Sequence, residues 1–150
     1  MNTRLAELAS ALRLADPGQQ LLRLRFGLAC ASRIQHLLED PRATACLDVL
    51  RRFVAGQAER GALEAAASEI GAVANRHRGS NSIDGTAHAA VSATDACANA
   101  VAGRPLDAAA YAAYAAVYAY GGYAVGDPAA FEPEYDWQVE ALKAQGADGR

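Results

Sequence analysis

His88, Ser92 and Asp95 are the residue types of an acyl-transfer triad, and they stand at i, i+4 and i+7 in a helical stretch. That spacing puts them side by side on one helix face. A triad instead needs nucleophile, base and orienting carboxylate to converge beside an oxyanion hole. The Gly-x-Ser-x-Gly elbow that presents a serine between strand and helix does not occur. A polar helix surface or an inter-helix hydrogen-bond network is the expectation here. Hydrolysis around His88 would require a carboxylate and a nucleophile from other helices.

Other chemistries fare similarly. Asp84, His88 and Asp95 suggest a metal, but the paired Glu-x-x-His motifs of helical di-iron sites do not occur, nor does His-Glu-x-x-His or an EF-hand loop. His36 and His77 fit no ligand spacing. The run Arg76-His77-Arg78-Gly79-Ser80-Asn81 has the polarity of a phosphate-holding loop without the Walker spacing or its Lys-Ser/Thr. It reads as a basic loop after a helix C-terminus, where cations are favoured. Arg23, Arg25, Arg33, Arg51 and Arg52 border apolar faces and read as surface charges with stems on the core. No catalytic, cofactor or metal residue is therefore assigned. Glu132, Glu134, Tyr135, Asp136, Trp137 and Glu140 are the residues assigned to partner binding, because aromatic anchors mixed with carboxylates suit an interface. The same segment also suits a helix that docks its own Trp137 on the core.

Those residues must be positioned by helices. Pro and Gly punctuate the chain. The pattern predicts helices over about Thr3–Ala15, Gln19–Leu38, Arg42–Val54, Arg60–Asn75, Thr86–Ala102, Asp107–Tyr120 and Glu134–Ala144. Asp84 or Thr86 is the expected cap of the fifth, Asp107 of the sixth, and Gly56 of the third helix C-terminus. Residues 76–85 form the expected loop, and 145–150 a polar tail. The expectation is a single all-α domain, a compact bundle of six or seven short helices in consecutive antiparallel hairpins. Three hairpins in a row would look solenoid-like. Its core is expected over about 19–125, with an acidic, aromatic segment at 126–144.

Composition agrees. The chain has 150 residues, enough for one domain with its own core. Alanine makes up about a quarter of it, which favours close-packed helices over sheets. Cys30, Cys46 and Cys97 are an odd number without paired spacing, so they read as buried small hydrophobes in a reducing compartment. The net charge of −3 argues against a nucleic-acid binder. Residues 1–78 carry 11 Arg and 8 acids, whereas 79–150 carry 3 basic and 9 acidic residues. The acidic half could complement the basic half or meet a basic partner.

Ala108 to Val125 carries no charge. Alanine and glycine drive insertion weakly and no Lys/Arg cluster flanks the run, so it is not read as a membrane span. It reads as the central helix of a bundle. Ala108, Ala112, Ala115, Ala119 and Gly122 form a small-residue stripe for close packing, and Tyr111, Tyr114 and Tyr118 a second stripe filling a wider gap. The N-terminus has no continuous apolar core of a signal peptide, so a cytoplasmic location is expected.

Cys30-Ala31-Ser32-Arg33-Ile34, Asp40-Pro41-Arg42 and Phe53-Val54-Ala55-Gly56, followed by alanine-rich helices, carry a family pattern. Over roughly residues 20–125 the chain resembles the small, alanine-rich, all-helical immunity proteins of bacterial polymorphic toxin systems. The 76–85 loop and the tail at 127–142 depart from that pattern. The resemblance implies a protein without catalysis of its own, which binds a cognate toxin domain and blocks it by steric occlusion. The alternative is a helical adaptor or small-ligand binder using a cavity lined by Tyr111, Tyr114 and Tyr118.

Overall fold

Proline at a first turn and a left-handed residue at a last turn delimit most of the helices. The computed structural model describes residues 1–77 and 86–148. It contains α1 (Thr3–Ala11), α2 (Gln20–Arg33), α3 (Pro41–Val54), α4 (Arg60–His77), α5 (Thr86–Val101), α6 (Pro105–Tyr120) and α7 (Glu132–Asp148). Short 3-10 turns cover Pro17–Gln19, Gln35–Leu37, Gly122–Gly126 and Pro128–Phe131. The chain is all-α, with no strand among the described residues.

Several ends follow from local chemistry. Asp40 caps α3 by accepting the Arg42 N–H at 2.9 Å, with Pro41 at the first turn. Gly56 and Gly103 take φ of 77° and 78° after α3 and α5, as helix-ending glycines do. Other ends differ from expectation. Helix α1 stops at Ala11 because Arg13, not a glycine, adopts φ 57°. The Leu14 N–H then returns to the Ala9 carbonyl at 2.9 Å, and Leu14 is buried. Helix α2 ends at Arg33 rather than Leu38, since a 3-10 turn carries Leu37 and Leu38 inward without continuing the α-helix. Asp107 lies in the first turn of α6, and the residue at its cap position is Arg104. Helix α7 runs from Glu132 to Asp148, longer than Glu134–Ala144 at both ends. Gly146 keeps that extension close to α1: a Cβ there would meet Leu12 Cδ1 at 3.3 Å. The proposed fifth-helix cap at Asp84 lies outside the described residues, as does the Thr86 side chain.

Each helix from α2 to α6 packs on the next, α5 against α6 most extensively. Contacts also join distant helices: α2 meets α5, α6 and α7, and α1 meets α7. A row of units touching only neighbours would lack those contacts, so the bundle closes on itself. Helix α2 meets α3, α5, α6 and α7. Its Leu22, Leu24, Phe26, Cys30 and Ala31 are buried, and a Cβ on Gly27 would lie 3.2 Å from Ala100 Cα of α5. Helix α6 buries Ala108, Ala112 and Ala115 but leaves Ala119 and much of Tyr111 and Tyr114 open. A tyrosine can face water because its tip is polar, so an uncharged helix need not be enclosed. All three cysteines are buried thiols. No helix among the described residues is long and apolar enough to cross a membrane.

Candidate interaction surface

Helix α7 supplies the residues read as partner-binding, and two arginines bind it to the bundle. Arg33, at the end of α2, donates from Nε and Nη2 to the two Glu134 carboxylate oxygens, each at 2.9 Å. Its guanidinium also lies 4.5 Å from the centre of the Trp137 ring. The hydrogen bonds to Glu134 raise the Arg33 pKa further above its ordinary value. Arg4 of α1 holds Asp136 and comes within 3.6 Å of Glu132. Inside this frame, Gln138 is buried, donates to the Ala109 carbonyl at 2.8 Å, and accepts from Asn2 Nδ2 at 3.3 Å. A buried amide satisfied on both sides fixes the register of α7 on α1 and α6.

The structure therefore divides the assigned group. Glu134 is mostly covered, with 16% of its side chain exposed, and is occupied by Arg33. Trp137 and Tyr135 are half-buried. The side chains of Glu132, Asp136 and Glu140 are 61%, 61% and 73% exposed, Glu140 beside Lys143 at 3.3 Å. They lie at i, i+4 and i+8, along one face of α7. Glu132 and Glu134 also stand in its first turn, where negative charge is favoured.

The aromatic residues form a continuous ladder beside this helix. His88 stacks on Tyr118 at 5.4 Å, Tyr118 on Tyr114 at 6.2 Å, Tyr114 meets the Phe131 edge at 5.3 Å, and Phe131 packs on Tyr135 at 5.7 Å. Burial and the nearby charges of Tyr114 and Glu132 lift the Tyr135 phenol above its ordinary value. The expected tyrosine cavity takes another form. Tyr114 lines a 420 Å³ hollow with Asp107 and Tyr135, Tyr118 lines a separate one, and Tyr111 and Tyr114 are 40% and 44% exposed. At the end of α6 a 590 Å³ hollow is walled by Tyr120, Tyr123 and Asp127, residues the sequence reasoning did not single out. One signal was present: all six tyrosines fall within residues 111–135.

The other candidate chemistry does not assemble. His88 is exposed and stacks on Tyr118. No group of three His, Cys, Asp or Glu placed to hold a metal occurs among the described residues. Residues 78–85, with most of the proposed phosphate loop, lie outside the described residues, as does the His77 side chain. Two of the arginines on the apolar borders tie segments together: Arg23 donates to the Leu14 and Asp16 carbonyls at 2.8 and 2.7 Å, and Arg51 to Gln35 at 2.8 Å. Burial raises the Cys30 and Cys97 thiols, Cys97 to about 12, so neither is poised as a nucleophile.

A family model described as Imm-5 like putative immunity protein matches residues 15–145. The match takes in both the 76–85 loop and the tail through α7, beyond the 20–125 span of the sequence resemblance. No curated protein and no solved structure matches the chain.

Proposed function

The chain belongs to the family of Imm-5 like putative immunity proteins, and on that premise we propose that it binds a cognate bacterial toxin protein in the cytoplasm and neutralises it by steric occlusion. The family match over residues 15–145 carries the reading. The physical features support it. A bundle closed by paired termini and a satisfied buried amide is a rigid support, and preorganisation lowers the cost of binding. The three exposed carboxylates of α7 offer a partner negative charge, which speeds association with a basic surface.

The contact face is proposed as Glu132, Tyr135, Asp136, Trp137 and Glu140, with Glu134 as the internal tie that holds them in place. The experiment identifies the toxin partner, first by asking whether a toxin gene stands immediately upstream and otherwise by pull-down from the native host. It then co-expresses the toxin domain with the chain and follows host survival. Rescue by the wild type is expected. Glu132→Gln, Asp136→Asn and Glu140→Gln together should weaken toxin binding and flatten its salt dependence. A toxin that kills equally in the presence of the chain refutes the function. Unchanged affinity and salt response in the triple variant refute the face.

A further inference from the structure

The hollow at the end of α6 has features that folding does not account for. Tyr120 and Tyr123 are 78% and 80% exposed, the most open aromatic residues of the chain. They nonetheless stand beside each other, with ring centres 6.3 Å apart and planes tilted by 56°. Gly121 makes the seat. A Cβ at 121 would lie 2.5 Å from Cε1 of Tyr123, so the ring occupies space that any other side chain would take. The φ of Gly121 is 171°, ordinary extended backbone, so a side chain there would meet only the open Tyr123 ring.

The floor of the hollow is apolar, built of Val117, Ala124 and Ala130 with Pro133 at its edge. Its rim carries Asp127 and Glu134, and no basic residue lines it. Glu134 is occupied by Arg33 from the other side. Asp127 forms no ion pair among the described residues; one oxygen accepts the Ala129 N–H at 3.0 Å. No Lys or Arg occurs between Arg104 and Lys143. The molecule thus shows the same chemistry twice. Glu134 and Trp137 hold Arg33 between a carboxylate and a ring. Asp127, Tyr120 and Tyr123 offer a carboxylate and rings with no guanidinium among them.

We infer that this hollow receives an arginine side chain presented by the basic surface of the partner protein. The guanidinium lies on the tyrosine faces and donates to Asp127, while its stem covers the alanine–valine floor. The inference rests on the proposed toxin-binding function and places its anchor at the foot of α7, next to Glu132.

The test uses two probes, a tri-arginine peptide and the toxin domain identified by the co-expression experiment. Tyrosine ring resonances of the full chain are followed by NMR during peptide titration. Tyr120 and Tyr123 should shift, more with tri-arginine than with tri-lysine, which lacks the planar fork. Tyr120→Ala/Tyr123→Ala should then weaken toxin binding by about tenfold or more, as loss of aromatic anchors does. Asp127→Asn keeps the acceptor for Ala129 but removes the charge, and should weaken binding about threefold with a shallower salt dependence. Unchanged melting temperatures show that both variants fold. Tyrosines that do not shift, or variants that bind toxin like the wild type, overturn the inference. So does self-association through this face that the tyrosine substitutions abolish while toxin binding persists. Rescue of the host by wild type and double variant alike removes the hollow and leaves the function standing. Failure of the wild type to rescue, with the peptide still shifting Tyr120 and Tyr123, removes the function and leaves the hollow as an arginine site.

Discussion

Arg33→Ala tests what holds the acidic helix in place. The guanidinium makes a bidentate pair with Glu134 and covers Trp137, across a sequence separation of 101 residues. Its side chain is 37% exposed and that of Glu134 is 16%. Exposed ion pairs contribute about 0.2–1 kcal/mol, and the upper end applies because the geometry is bidentate and one partner is mostly covered. The contact with Trp137 adds about 0.5 kcal/mol at this exposure. The substitution should thus cost about 1.5 kcal/mol, a lowering of Tm by about 3–6 °C for a chain of this size. Glu134→Ala should cost about 1 kcal/mol. Because both act on one pair, the double variant should cost less than the sum, with a coupling of about 1 kcal/mol. Arg33→Lys keeps the charge but loses the fork and the ring contact, so it should recover less than half of the loss.

The measurement is equilibrium urea unfolding of the wild type and the four variants at 25 °C, in low salt and in 1 M NaCl. Screening at 1 M acts over about 3 Å. The contact itself spans 2.9 Å, so the coupling should shrink without vanishing. A coupling below about 0.2 kcal/mol in both salts would refute the reasoning. Helix α7 would then be held by the packing of Trp137, Val139 and Leu142, the Gln138 hydrogen bonds and Arg4, and Arg33 would be a surface charge.

Two glycines inside helices should respond in opposite directions. Gly27→Leu drives a side chain into Ala100, already 3.2 Å from a modest Cβ, and should cost about 3 kcal/mol by overpacking, read from urea midpoints. Gly71→Ala meets nothing within 4 Å and should stabilise by about 0.5–1 kcal/mol through helix propensity. The cysteines should be inert to a thiol reagent in the native chain and all react after unfolding, since each is buried. They should also set an alkaline limit. The Cys97 thiol keeps its proton in the fold to about pH 12, against an ordinary 9.0, so above pH 9 the unfolded chain binds fewer protons. Stability is then complete below pH 9 and falls as pH rises toward 12, by about 1.4 kcal/mol per pH unit for this thiol. Cys97→Ala should make the slope shallower by about that amount, leaving the share of Cys30 and Cys46; an unchanged slope between pH 9 and 11 would remove the Cys97 thiol as a cause.

The helices were legible because their ends are written locally. Asp40-Pro41, Gly56 and Gly103-Arg104-Pro105 each specify a stop or start within a few residues. Misplaced ends came where the signal is not local. Arg13 takes a left-handed conformation that favours glycine, held there by Leu14 burying itself and by Arg23 on the Leu14 and Asp16 carbonyls. No spacing within α1 announces that. The 3-10 turn after α2 keeps its apolar residues inward, so periodicity alone extends the helix through it. Lack of charge marks α6 as buried, and it buries one face; α2, with Arg23, Arg25 and Arg33 on it, meets α3, α5, α6 and α7 because those arginines end in carbonyls, carboxylates or solvent while their neighbours pack.

The same separation explains what was visible of the candidate surface. Carboxylates and aromatics at 132–140 stand out by composition, but which carboxylate is covered and which stays at the surface depends on Arg33 and Arg4, more than a hundred positions away. Tyr114, Tyr118 and Tyr135 have structural partners in the ladder, so removing any one should loosen the fold around Phe131. Tyr120 and Tyr123 have only each other and a glycine that makes room for them. Exposed positions of this kind tolerate substitution within about 0.5 kcal/mol. Their joint replacement by alanine should therefore leave unfolding free energy unchanged while Tyr114→Ala lowers it. If both changes destabilise alike, the pair belongs to the scaffold, and the case for an anchor at the end of α6 loses its physical basis.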